Sequence, residues 1–206
     1  MKARHVLWAT AVTAGMAASA FAQAPASAGS SAQEGSMLRS LIPAKGRGYV
    51  GLSLGRSRYS APCGATSFNC DSTDNSVQIS AGSMVGNFWG VELAYIDMGR
   101  INRGGGTTRA QGLNMSFIGK ASVWQSLGVF GKVGTTYGRT ETSSVLGSGV
   151  NNGSERGFGL SYGAGVSYDF TPQLSATLGW DSHDFRFAGS GRDPVRSTNL
   201  GLQYRY

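Results

Sequence analysis

Gly157-Phe158-Gly159-Leu160-Ser161-Tyr162-Gly163-Ala164-Gly165-Val166-Ser167-Tyr168-Asp169-Phe170 decides how the rest of the chain is read. Phe158, Leu160, Tyr162, Ala164, Val166, Tyr168 and Phe170 share one parity; Gly, Ser and Asp hold the other. Successive side chains of a strand point to opposite faces, so this run folded as a strand is greasy on one side and almost bare on the other. Such a strand suits a closed barrel whose apolar side meets lipid and whose small, polar side faces the interior.

Working outward, seven further segments alternate in the same way, at about 47–59, 76–85, 88–98, 108–123, 127–140, 173–187 and 195–206. Those at 88–98 and 173–187 place Trp89, Val91, Leu93 and Tyr95, and Leu174, Ala176, Leu178 and Trp180, on the apolar face. Connections near Asn87, Gln125 and Pro172 are a few residues long, whereas 60–75, 99–107, 141–155 and 188–194 read as long polar loops. Short turns at one end and long loops at the other are the pattern of an outer-membrane barrel. The expected fold is therefore all-β, an eight-stranded antiparallel up-and-down transmembrane β-barrel in the cell outer membrane. An even strand number brings both ends of the barrel to the periplasmic side.

Lys2 and Arg4, the apolar stretch 6–18 and Ala20-Phe21-Ala22 before Gln23 read as a secretory signal peptide with its cleavage site. The expected organisation is a signal peptide over 1–22, a flexible periplasmic leader over 23–45 and the barrel over 46–206. No later window approaches the roughly 20 apolar residues of a membrane helix, which removes a helical membrane protein. Charged residues make up 14% of the chain and Gly numbers 32, far above the roughly 7% of an average composition. Gly weakens an ordinary strand, and packing beside bulky neighbours in a narrow lumen gives it a purpose. The formal net charge of +7 becomes +5 without Lys2 and Arg4. An exported chain with no basic helix or stacking platform is not expected to bind nucleic acid.

Cys63 and Cys70 lie in a segment rich in Gly, Ser, Asn and Asp. In an oxidising compartment the expectation is a disulfide closing a small loop. No Cys or His stands at zinc spacing, and no metal or cofactor is expected.

Phe88-Trp89-Gly90-Val91-Glu92-Leu93-Ala94-Tyr95, Phe130-Gly131-Lys132-Val133-Gly134 and Tyr162-Gly163-Ala164-Gly165-Val166-Ser167-Tyr168-Asp169-Phe170-Thr171-Pro172 resemble hairpins of the OmpA/OmpX family of eight-stranded outer-membrane barrels. The resemblance spans about 48–206 and implies the fold far more than the activity, since members serve as structural proteins, small pores, adhesins and serum-resistance factors. Because the barrel pattern runs to the last residue, the peptidoglycan-binding domain that follows the barrel in full-length OmpA is not expected here. Terminal Tyr206, in phase with Tyr204 and Leu202, resembles the aromatic signal read by the outer-membrane assembly machinery, and an aromatic girdle position explains it equally.

On the lumen face the sequence places Glu92, Lys120, Lys132, Asp169, Asp181, His183 and Arg205. Charges held away from water need partners, so ion pairs across the lumen are expected among Glu92, Lys120, Lys132, Asp181 and Arg205. Family resemblance implies a gate; the narrowness of an eight-stranded barrel favours a polar plug. Acyl-transfer chemistry would need a nucleophile, a base and an orienting group. Beyond the leader His183 is the one imidazole, and its neighbour Ser182 points to the other face, so no enzyme is expected.

Arg56, Arg58, Arg100, Arg103, Arg109, Arg139, Arg156, Arg186, Arg192 and Arg196 gather at the loop ends of strands. Guanidinium groups bind phosphate bidentately, which makes them candidates for lipopolysaccharide contact, against solvated loop charges balanced by Asp and Glu. The expected function is that of a small monomeric outer-membrane protein serving envelope integrity and adhesion or host contact through its loops, with a passive small-solute pore as the alternative. Expected partners are outer-membrane lipid, lipopolysaccharide, the assembly machinery and surface ligands.

Overall fold

The computed structural model describes residues 48–61, 70–189 and 191–206. Eight antiparallel strands, β1 (Gly48–Tyr59), β2 (Thr73–Met84), β3 (Trp89–Arg103), β4 (Gly106–Ser122), β5 (Leu127–Ser143), β6 (Gly153–Asp169), β7 (Leu174–Phe187) and β8 (Gly191–Arg205), pair in sequence order. The barrel closes where β1 pairs with β8. Closure leaves no edge strand, which hydrocarbon demands because it offers no hydrogen bonds to an open backbone. The expected signal peptide over 1–22 and leader over 23–45 lie outside the described residues.

Alternation survives folding as two faces. Leu54, Ile79, Leu93, Phe117, Leu160 and Leu200 stand more than half exposed on the outside. Ser57, Ser80, Asn114, Ser116, Ser161 and Asn199 are buried within. In water such a continuous apolar belt would be a liability, but against lipid it meets its own kind of solvent. Interior Gly makes room for large neighbours: a Cβ at Gly82 would collide with the Tyr49 ring, and one at Gly138 with Phe185.

At one end the three turns 85–88, 123–126 and 170–173 share one hydrogen-bond plan. In each, the first two amides donate to a single carbonyl, that of Trp89, Leu127 or Leu174. At the other end the structure corrects the sequence reading. Residues 99–107 are no loop: β3 and β4 run on through 15 and 17 residues and meet at a two-residue turn, Gly104-Gly105. Both glycines have positive φ, +59° and +73°, as a tight hairpin needs. Within the expected loop 188–194, residues 191–194 are likewise strand, since β8 begins at Gly191. About 9–11 residues of tilted strand suffice to cross hydrocarbon, so β3 to β6 project well past the apolar belt.

The reason the sequence hid this extension is a bulge. Asp97 pairs with Gln111 but Arg100 pairs with Arg109, so β3 spends one residue more than β4 between those pairs. Before the bulge even-numbered residues (Ala94, Ile96, Met98) face inward; after it odd-numbered Ile101 and Arg103 do. Gly99 sits in the bulge with φ +75°. The Tyr59 hydroxyl donates to its carbonyl at 2.9 Å, and the Ser57 hydroxyl donates to the Met98 carbonyl at 2.6 Å.

Candidate functional site

The lumen is layered. Nearest the short turns lies an open cavity of about 360 Å³ bordered by Tyr49, Phe88, Lys120, Trp124, Asp169 and Arg205. Arg205 grips Asp169 with two bonds, at 2.5 and 3.1 Å, and reaches Ser175 Oγ at 3.3 Å. Lys120 Nζ donates to Gln203 Oε1 at 3.0 Å and stands 5.8 Å from the centre of the Tyr49 ring.

Above this cavity Lys132 bridges two carboxylates, Glu92 Oε1 at 3.1 Å and Asp181 Oδ1 at 3.7 Å. Glu92 also accepts the Tyr49 hydroxyl at 2.8 Å. Asp181 accepts from Asn199 Nδ2 at 3.2 Å, and Asn199 in turn accepts the Ser76 hydroxyl at 2.9 Å. Groups from β1, β2, β3, β5, β7 and β8 thus join one network in which each charge is met by hydrogen bonds as well as by an opposite charge. That is the condition under which a buried ion pair is tolerable.

Next comes a neutral tier. Asn114 Nδ2 donates to Ser161 Oγ at 2.6 Å and Thr136 Oγ1 at 2.9 Å, and Thr136 Oγ1 is 2.9 Å from His183 Nδ1. His183 and Ser182 are both buried, but by register Ser182 belongs to the outward row, opposite Tyr162 and Arg196, where its neighbours cover it. Imidazole and hydroxyl therefore point to opposite faces of the β7 backbone, and the structure does not bring them together.

The loop end of the lumen is stopped by an apolar cluster of Tyr59, Ala94, Ile96, Met98, Ile101, Ala110, Phe185, Phe187 and Val195. Phe187 meets Tyr59 edge to face with ring centres 6.3 Å apart. Nothing in the sequence marked this stopper as a unit. Its members come from five strands, and alternation assigns a residue to a face without giving its height along the barrel. Tyr49, Asn199 and Gln203 were missed for the same reason; their inward parity was the available signal.

The arginines fall into an order that spacing alone did not give. Arg58 lies directly opposite Arg196, Arg100 opposite Arg109, Arg139 opposite Arg156, and Arg186 opposite Arg192. Arg109 pairs with Asp97, and Arg139 with Glu141 at 2.6 Å. Arg103 departs from the expected lipid-facing rim. The bulge turns it into the barrel, where it is 2% exposed, so it has no access to lipopolysaccharide.

Tyr206 donates its backbone N–H to the Gly48 carbonyl at 3.1 Å and lays its ring on Gly48, across the β1/β8 seam. Cys70 is not a free thiol; Cys63, its expected partner, lies outside the described residues.

Residues 43–205 match the family model for the OmpA-like transmembrane domain. Among solved structures the chain is similar to Ail, the attachment invasion locus protein of Yersinia pestis, at 17% identity and TM-score 0.52, over 79% of this chain and 100% of that one. It is also similar to Neisserial surface protein A, at 14% identity and TM-score 0.59, over 77% and 97%. The N-terminal β-barrel domain of Pseudomonas aeruginosa OprF matches at 14% identity and TM-score 0.53, over 78% and 98%. At such identities the likeness concerns fold. No curated protein sequence matches the chain.

Proposed function

The chain belongs to the OmpA-like transmembrane domain family and resides in the cell outer membrane, and from that premise we propose a structural and surface-interaction role. In this reading the protein supports envelope integrity and meets external ligands through the projecting loop end of its barrel, without catalysis. The observation that carries it is the obstructed lumen: an apolar stopper at one level and a fully partnered ionic network at another. Opening a water path would require both to rearrange, and the network would lose contacts that hydrogen-bonded, desolvated charges cannot easily replace.

The arrangement of the outer end supports ligand contact. Strands carried past the apolar belt form a stiff platform for loops, and their arginines suit anionic partners. Ail has been solved in complex with the heparin analogue sucrose octasulfate. A sulfated or phosphorylated surface polyanion is the corresponding ligand class here. The protein acts as a monomer, reaches the membrane by a cleaved 1–22 signal peptide, is recognised for assembly through Tyr206, and carries a Cys63–Cys70 bridge in its first loop.

The second reading, a passive small-solute pore, draws on the open cavity beneath Lys120. Planar-bilayer recordings on the refolded protein separate the two. Silence is expected; steady conductance by the unmodified protein would establish the pore and end the plugged-barrel reading.

A further inference from the structure

We infer that the outer face of the β8/β1 seam, around Arg56, Arg58 and Arg196, is a binding site for the phosphate of an outer-leaflet glycolipid. The inference rests on the outer-membrane reading above and deepens it, by naming one place on the barrel and one ligand chemistry.

Strand register places the site. Val77, Leu54, Leu200, Leu178 and Val166 form one row of directly opposed residues around the outside, entirely apolar. The next row toward the loops is Asn75, Arg56, Thr198, Trp180 and Ala164, and the one after it is Thr73, Arg58, Arg196, Ser182 and Tyr162. Within two residues the surface changes from hydrocarbon-compatible to cationic, with the Tyr162 and Trp180 rings, 5.9 Å apart, to one side. Aromatic girdles mark the level of the lipid headgroups, so the three guanidinium groups stand where outer-leaflet phosphates stand. A hollow of about 410 Å³ opens there, bordered by Arg56, Arg58, Thr73, Trp180, Arg196 and Thr198.

Electrostatics gives the second argument. Arg58 and Arg196 are directly opposed, an arrangement that repels unless an anion lies between them. Arg100 with Arg109, and Arg139 with Arg156, face the same repulsion, but there Asp97 and Glu141 supply the anion. Among the described residues no carboxylate lies within ion-pair distance of Arg56, Arg58 or Arg196. Residues 62–69 of the neighbouring loop contain no Asp or Glu that could serve instead. Arg186 and Arg192 are also opposed. They sit four residues farther along β8, about 13 Å beyond Arg196, outside the headgroup level. A phosphate fits the vacant role because two guanidinium forks can each give it paired N–H bonds, while Thr73 and Thr198 offer hydroxyls at the rim.

The test uses the full-length protein refolded in detergent, with diphosphoryl lipid A as the probe. Binding is compared for the unmodified protein, for R56Q/R58Q/R196Q, and for R139Q/R156Q/R192Q, which removes the same charge elsewhere on the rim. Heat-modifiable migration on gels checks that each variant is a folded barrel. Should the first triple variant fail that check, R58K/R196K, which keeps the charge and removes the forks, replaces it. Affinity is expected to fall about tenfold or more at the seam and less than about twofold for the control. Equal losses in both triple variants would reduce the site to diffuse charge and overturn the proposal, as would unchanged binding in the seam variant. Displacement by millimolar inorganic phosphate would assign a free-anion site and overturn the glycolipid. Bilayer conductance of the same samples reports on the plugged-barrel reading independently of all these outcomes.

Discussion

At the scale of single residues, Lys132 is the position on which the interior depends most. Its ammonium stands between Glu92 and Asp181, with no other cation that close to either carboxylate among the described residues. Lys132→Met would leave two facing carboxylates buried without a counter-charge, a loss of about 3–5 kcal/mol. Glu92→Gln keeps the Lys132–Asp181 pair and an acceptor for Tyr49, and should cost about 1–3 kcal/mol. Urea unfolding in lipid vesicles, followed by the gel shift between folded and unfolded forms, is expected to rank the two in that order. The reverse order would mean that Glu92 and not Lys132 holds the network. Glu92, Lys132 and Asp181 were legible in the sequence, because a charge that falls in phase with Gly and Ser has nowhere to go but inward. Their neutral partners were not. Lys120 was expected to find a carboxylate and instead finds Gln203, since which residues meet across a lumen depends on the stagger of strands far apart in the chain.

Among the elements, β3 shows where alternation stops being informative. Alternation along the sequence marks a strand only to about Met98, and 99–107 reads as a polar loop. Outside hydrocarbon a strand has no need of an apolar face, and the two-residue turn at Gly104-Gly105 is written only in the pair of glycines. Gly99→Val is expected to lower stability by about 1–3 kcal/mol, because a β-branched side chain is strained at φ +75° and its Cβ would strike the Asn75 carbonyl and Asp74. The same urea assay measures it, with Gly147→Ala as the comparison, since a side chain there has positive φ but open space around it. The apolar face of β6 and β7 is equally testable. Spin labels at Leu160 and Leu178 should be reached by lipid-dissolved oxygen, whereas one at Ser161 should not; shielding of the first two would place a packed core where lipid is expected.

For the molecule as a whole, the apolar stopper at the loop end is the element by which the plugged-barrel reading is tested. Phe185, 1% exposed, sits against Gly138, where no other residue type would leave space for its ring. Phe185→Ala should cost about 3–5 kcal/mol through the cavity it leaves, and should make brief conducting events in planar bilayers more frequent than in the unmodified protein. Unchanged silence in a folded variant would locate the decisive barrier in the Lys132 tier. Eight strands, their order and their two faces could be read from the chain because each is a local, period-two property. The vertical sequence of cavity, ionic network, neutral tier and stopper could not, because it arises only when eight registers are fixed together.

The seam between β1 and β8 has a further consequence, for the order of events during biogenesis. Its two strands are separated by nearly the whole barrel sequence, and β1 finds no other partner on that side. Until β8 arrives, one row of backbone amides and carbonyls must be sheltered by something other than the chain itself, since hydrocarbon will not solvate it. The β1/β8 ladder is the one that shuts the ring, and Tyr206 rests on Gly48 across it. A nascent polypeptide stalled before closure would hold an exposed template to any passing strand and become prey to periplasmic proteases.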